Sequence, residues 1–168
     1  MKQQVVIISP ALADANNGNW QTARRWRQLL QPRYQVRIAS HWPDGPEAAA
    51  DVTMLALHAR KSAATIAAWS RIRSEKALPP ALAVVLTGTD LYRDIHSDEA
   101  AKSALHVAQC LVVLQELGAE ALPPALRKKA RVIFQSTSAR QKLPKTSRHL
   151  RALMVGHLRE EKSPQTLF

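Results

Sequence analysis

Apolar residues form two kinds of pattern that alternate along the first 134 positions. Short continuous runs are typical of strands that are buried on both faces of a sheet, and apolar positions three and four apart are typical of helices. This alternation predicts an α/β fold: a Rossmann-like parallel sheet of six or seven strands with helices on both faces. The expected strands are 4–9, 34–38, 52–57, 82–86, 111–114 and 131–134, and the expected helices are 20–30, 62–73, 98–108 and a short, proline-broken region at 117–129.

The pattern changes after residue 136. Residues 137–149 are rich in Ser, Thr, Lys and Arg and predict a linker. Residues 150–155 form a new apolar run, which is followed by a polar loop that begins with glycine. We therefore expect a Rossmann-like domain at 1–136, a linker at 137–149, and the start of a truncated second Rossmann-like domain at 150–168.

Composition limits the class of protein. The chain has 168 residues, of which 46% are hydrophobic, and this suffices for a full domain with a core. No apolar run approaches the roughly 20 residues that cross a bilayer. The single cysteine, Cys110, lies in an apolar run and is interpreted as a buried, inert thiol. The sequence shows no secretory signal, so we expect a cytoplasmic protein without a membrane span.

A net charge of +11 indicates a polyanionic partner, which could be nucleic acid, an acidic membrane surface or a phosphorylated small molecule. The 24 lysines and arginines are scattered and do not interleave with aromatic residues. This favours a small-molecule partner over nucleic acid. The oligomeric state, including a homo-oligomer, stays open.

Polar loops follow three of the predicted buried strands. In open α/β sheets ligands bind at the carboxyl ends of the strands, so these loops would meet in one cleft if the strands are neighbours. Backbone N–H groups, hydroxyls and cations suit an anionic ligand there. The candidate residues are Asn16, Asn17, Gly18 and Asn19 after the first strand, His58, Arg60 and Lys61 after the third, and Thr87, Gly88, Thr89 and Asp90 after the fourth.

Each of these loops also has a structural interpretation. The Asn-Gly segment is typical of a turn with a helix N-cap, and Ser62 could cap the helix that follows the basic pair. Asp90 could be a base, a ligand for a hydroxyl group or a helix cap. The chain carries neither a dinucleotide fingerprint nor a phosphate-binding P-loop, and its histidines lack metal-ligand spacing.

Five segments in order carry a resemblance to a known family: residues 15–19, 57–63, 86–94, 112–115 and 156–162. The last segment holds Gly156, Leu158 and Lys162 of the pattern Gly-Arg-Leu-x-x-x-Lys, with His157 in place of the arginine. Together these segments resemble the selenosugar synthases of selenoneine biosynthesis, which are similar to family 4 glycosyltransferases of the GT-B fold. The resemblance covers nearly the whole chain and implies the N-terminal half of such an enzyme.

The resemblance implies a reaction in which selenophosphate displaces UDP from a UDP-sugar such as UDP-N-acetylglucosamine. The first-domain loops would hold selenophosphate, and Arg159 and Lys162 would hold the donor diphosphate, without a metal or another cofactor. No catalytic residue is assigned. The alternatives are an ordinary sugar-nucleotide glycosyltransferase with an oxygen acceptor and a non-catalytic module that binds nucleotide or RNA. Because most of the second domain is missing, we expect little or no transferase activity from these 168 residues alone.

Overall fold

A computed structural model describes residues 2–15, 17–138, 141, 144, 146–149 and 163–167. The chain divides into two compact units, Met1–Ser136 and Thr137–Phe168. In the second unit a 3₁₀ turn spans Pro164–Leu167. The expected strand at 150–155 lies outside the described residues, so the second-domain assignment stays a prediction. Within the described residues, no helix is both long and apolar enough to cross a membrane.

The first unit is built on one sheet of six parallel strands in the order β2-β1-β3-β4-β5-β6. The predicted Rossmann-like parallel sheet is therefore confirmed. The observed strand bounds agree with the apolar runs to within a few residues. The strands are β1 (Gln4–Ile8), β2 (Gln35–Ala39), β3 (Asp51–Leu57), β4 (Leu82–Leu86), β5 (Cys110–Val113) and β6 (Ala130–Val132).

Helices and short turns connect the strands. The region predicted as a broken helix at 117–129 consists of two 3₁₀ turns, Glu116–Ala119 and Pro124–Lys129, because proline has no N–H to continue a helix through Pro123 and Pro124. A further 3₁₀ turn spans Pro46–Ala50, and a π-helical turn spans Asp90–Asp94. The helices are α1 (Gly18–Leu30), α2 (Ala63–Glu75), α3 (Ile95–Ser97) and α4 (Glu99–Val107).

Alternate strand residues face opposite sides of the sheet and fill two hydrophobic clusters. Val6 and Ile8 of β1 belong to the cluster that contains Trp69 of α2 and Leu105 of α4, whereas Ile7 belongs to the cluster that contains Ala23 of α1. Helices therefore cover both faces, as predicted. Trp69 of α2 is fully buried, whereas Trp20 and Trp26 of α1 are half-buried.

Candidate functional site

The direction in which the chain builds the sheet reverses beside β1. Strand β2 lies on one side of β1, and β3 and β4 follow on its other side. In such a sheet the crevice outside the carboxyl ends of the two strands at the reversal is the usual ligand site. The three polar loops leave β1, β3 and β4, which are consecutive in the sheet, so they lie side by side. We call these strand ends with the loops 9–17, 58–62 and 87–90 the carboxyl edge.

The first loop of the carboxyl edge ends in a helix cap. The side-chain oxygen of Asn17 accepts the backbone N–H of Asn19 at 3.0 Å and of Trp20 at 3.2 Å, so it satisfies the first turn of α1. Gly18 is exposed, and a Cβ built there would meet nothing within 4 Å. Asn17 thus has the structural role, and Gly18 and Asn19 form the start of the helix beside the crevice. Asn16 lies outside the described residues.

Asp90 bridges the loops after β3 and β4. Its carboxylate is fully buried; Oδ1 accepts the N–H groups of Thr87 and Gly88, and Oδ2 accepts that of Ala59, each at 2.9 Å. Gly88 has φ +137°, a conformation that side chains rarely adopt. The N–H groups of Thr87 and Gly88 are therefore already bonded to this carboxylate. Asp90 acts as a brace between two loops, a role that none of the sequence alternatives described.

His58 lies beneath the carboxyl edge. Its side chain is 4% exposed, its φ is +69°, and its Nε2 is 3.4 Å from Thr89 Oγ1. Carboxylate oxygens of Asp90 and Asp94 lie 3.9 and 4.0 Å from the ring nitrogens. Burial lowers the pKa of His58, and the two carboxylates oppose this shift. Burial therefore favours the neutral form of the imidazole.

The two cations of the second loop reach solvent. The Nε of Arg60 lies 3.0 Å from Oδ2 of Asp94, and the Arg60 side chain is 44% exposed. Lys61 is exposed, and within the described residues no carboxylate pairs with its side chain. Ser62 occupies the N-cap position of α2, but its hydroxyl donates to the Leu57 carbonyl at 2.7 Å and does not cap the helix. The structural interpretation of Ser62 is therefore correct in position, although the hydroxyl makes no cap hydrogen bond.

Two residues that the sequence analysis did not select join the site. Asp94 is 4% exposed, and its Oδ2 forms an ion pair with the Nε of Arg60. Gln115, just after β5, donates from Nε2 to the hydroxyl of Tyr92 at 2.6 Å, which brings a fourth loop to the same side of the sheet. The four-residue spacing of Asp90 and Asp94 was a signal for a shared helical face. The Tyr92–Gln115 contact has no sequence signal, because it joins separate loops.

Cys110 lies away from the carboxyl edge. Cys110 begins β5 at the opposite end of the sheet, and burial raises the pKa of its half-buried thiol, which favours the unreactive protonated form. Among the described residues, no group of three or more His, Cys, Asp or Glu could hold a metal ion. Arg159 and Lys162, expected to bind the donor diphosphate, lie outside the described residues.

No family model matches the chain, and the search of curated proteins finds no match. At the carboxyl edge two exposed cations stand beside the start of a helix, while the carboxylates of Asp90 and Asp94 are buried and bonded. This arrangement suits an anion and offers no exposed carboxylate from the loops after β3 and β4.

Proposed function

We propose that this chain is the acceptor-side part of a glycosyltransferase that makes a selenosugar from selenophosphate and a UDP-sugar, with UDP-N-acetylglucosamine as the donor. The five-segment resemblance suggests the reaction. The single structural observation that carries the proposal is the placement of the exposed Arg60 and Lys61 at the strand-order reversal of the sheet. The GT-B architecture and the donor-side roles of Arg159 and Lys162 are part of this proposal.

The burial and bonding of the Asp90 and Asp94 carboxylates favour selenophosphate over an oxygen acceptor. A sugar hydroxyl needs a base that removes its proton during attack. Asp90 is fully buried under three N–H groups, Asp94 is ion-paired, and His58 is almost completely buried, so none of them reaches an acceptor hydroxyl. Selenophosphate is already an anionic nucleophile, so it needs binding and orientation more than deprotonation. In the loops after β3 and β4 the cations have no accessible base beside them, which fits that requirement; the exposed carboxylate of the carboxyl edge is Asp14, in the loop after β1.

In the proposed reaction, selenium attacks the anomeric carbon of the sugar, a selenium–carbon bond forms, and the bond from that carbon to the UDP oxygen breaks. The leaving electron pair goes to the diphosphate, where the charges of Arg159 and Lys162 would stabilise it. Arg60 and Lys61 would hold the phosphoryl end of the nucleophile. Water then cleaves the selenium–phosphorus bond of the product, which releases the selenosugar and inorganic phosphate. The substrates and this water supply the reacting atoms, and the protein supplies position and charge.

The proposal is tested by anaerobic calorimetric titration of selenophosphate into the chain and into two variants. R60Q/K61Q removes both cations at the carboxyl edge, and R71Q removes an exposed arginine that pairs with Glu75 on α2. We expect about a tenfold or larger loss of affinity for R60Q/K61Q and less than a twofold change for R71Q. A parent chain that does not bind selenophosphate, or equal losses in both variants, would contradict the proposal.

A further inference from the structure

Asp94 presents a buried carboxylate that is only partly satisfied. Its side chain is 4% exposed, and in the described part of the chain its Oδ2 receives no hydrogen bond of good geometry. Instead, the Arg60 Nε lies 3.0 Å from it, and the Arg93 Nε lies 3.3 Å from Oδ1. A buried, incompletely bonded carboxylate is costly, and such groups are kept where they serve a function.

We propose that Asp94 is a positioning residue that aims the guanidinium of Arg60 at a tetrahedral oxyanion, the phosphoryl group of the acceptor. This inference rests on the proposed function. It adds the ligand class, a phosphoryl group held by two parallel hydrogen bonds, and it assigns a role to a residue outside the sequence candidates.

The contacts of Arg60 leave the two terminal nitrogens of its guanidinium available for a ligand. The ion pair with Asp94 is made at Nε, without hydrogen-bond geometry, and within the described residues no hydrogen bond or ion pair engages the two terminal nitrogens. The side chain is 44% exposed, and the residue lies in the loop after β3, which borders the crevice. The planar fork of arginine matches a pair of phosphoryl oxygens, whereas lysine offers a single point charge. Fixing the fork in advance lowers the entropy cost of binding.

Asp94 is itself held rigidly. It ends the π-helical turn Asp90–Asp94, and the first residue of that turn is bonded to the loops after β3 and β4. Turns of this kind are frequent at functional sites. The position of the Asp94 carboxylate, and through it that of Arg60, is therefore set by the same brace that joins the two loops.

Asp94 has two opposite effects on the affinity for an anion, one through its own charge and one through the position of Arg60. The negative charge of Asp94 repels a bound anion, so its removal alone would strengthen binding. Loss of the aimed Arg60 fork would weaken binding. If Asp94 acts through Arg60, D94N weakens anion binding when Arg60 is present and does not weaken it when Arg60 is absent.

The experiment is calorimetric titration of inorganic phosphate into the 168-residue chain and its variants R60K, R71K, D94N, R60Q and R60Q/D94N. We expect about a tenfold loss of affinity for R60K and less than a twofold change for R71K, the same substitution at an exposed arginine of α2 that pairs with Glu75. D94N should weaken binding severalfold in the parent, whereas R60Q/D94N should bind phosphate as well as or better than R60Q.

Equal or tighter binding of phosphate by D94N in the parent background would overturn the role of Asp94 and leave the anion site standing. A parent chain that does not bind phosphate would overturn the proposal that Arg60 and Asp94 form a site for a phosphoryl group. The titration with selenophosphate tests the proposed function separately. Thermal unfolding of each variant identifies those that fail to fold. If D94N is among them, the comparison of R60K with R71K decides, and equal affinities for phosphate would overturn the proposed role of the Arg60 guanidinium.

Discussion

The buried carboxylate of Asp90 accepts the backbone N–H of Ala59 at 2.9 Å and thereby ties the loop after β4 to the loop after β3. The same carboxylate accepts the N–H groups of Thr87 and Gly88. This brace makes the two central loops of the carboxyl edge one rigid unit. The chemistry of the site depends on that unit, because it fixes both the backbone before Arg60 and the turn that carries Asp94.

Replacing Asp90 should loosen the brace. In D90N an amide N–H₂ group replaces one acceptor oxygen and faces a buried N–H donor, so we expect a loss of about 1–3 kcal/mol of unfolding free energy. Urea denaturation measures this loss. The matched control is D98N, since Asp98 caps α4 by accepting the Ala101 N–H at 2.8 Å and asparagine caps equally well. A D90N chain as stable as D98N would contradict the bracing role.

The two glycines of the polar loops should respond differently to alanine. Gly88 has φ +137°, so G88A should lose about 1–3 kcal/mol of unfolding free energy through backbone strain. Gly18 begins α1 with open space at its Cβ, so the free energy of unfolding of G18A should be unchanged or raised by up to about 1 kcal/mol. Thermal unfolding compares the two variants. A larger loss for G18A than for G88A would refute this assignment.

His58 should make stability depend on pH. Burial lowers its pKa in the folded chain, against the pull of Asp90 and Asp94 and together with the charges of Lys61 and Arg60. The unfolded chain therefore takes up the proton first as the pH falls. Stability from this residue is lost as the pH falls below about 6.5 and levels off below the folded pKa.

The variant H58N tests this dependence, because asparagine tolerates the left-handed φ of +69° and does not titrate. Between pH 7 and 5 the melting temperature of H58N should fall less steeply than that of the parent. H96N, which removes an exposed histidine of α3, should keep the parent slope. Identical slopes for H58N and the parent would show that His58 does not contribute.

The architecture could be predicted from the sequence because buried parallel strands have a strong local signature. Strand β4 was predicted at 82–86 without error, since it is a continuous apolar run. The sequence predicted that the three polar loops meet if β1, β3 and β4 are neighbours, and the strand order of the sheet meets that condition. The roles of individual polar residues could not be predicted in the same way. Ser62 bonds back to Leu57, and Asp90 bonds to a loop 31 residues away, so both depend on tertiary placement.

The central claim is that the carboxyl edge holds an anionic acceptor, and NMR titration of the ¹⁵N-labelled chain with selenophosphate tests it most directly. The competing location is a cleft of about 280 Å³ between Trp42 and Lys76 at the opposite end of the sheet. We predict that the largest amide shifts fall on Gly18, Arg60, Lys61 and Thr89. Shifts centred on Trp42 and Lys76, or no shifts at all, would contradict the claim.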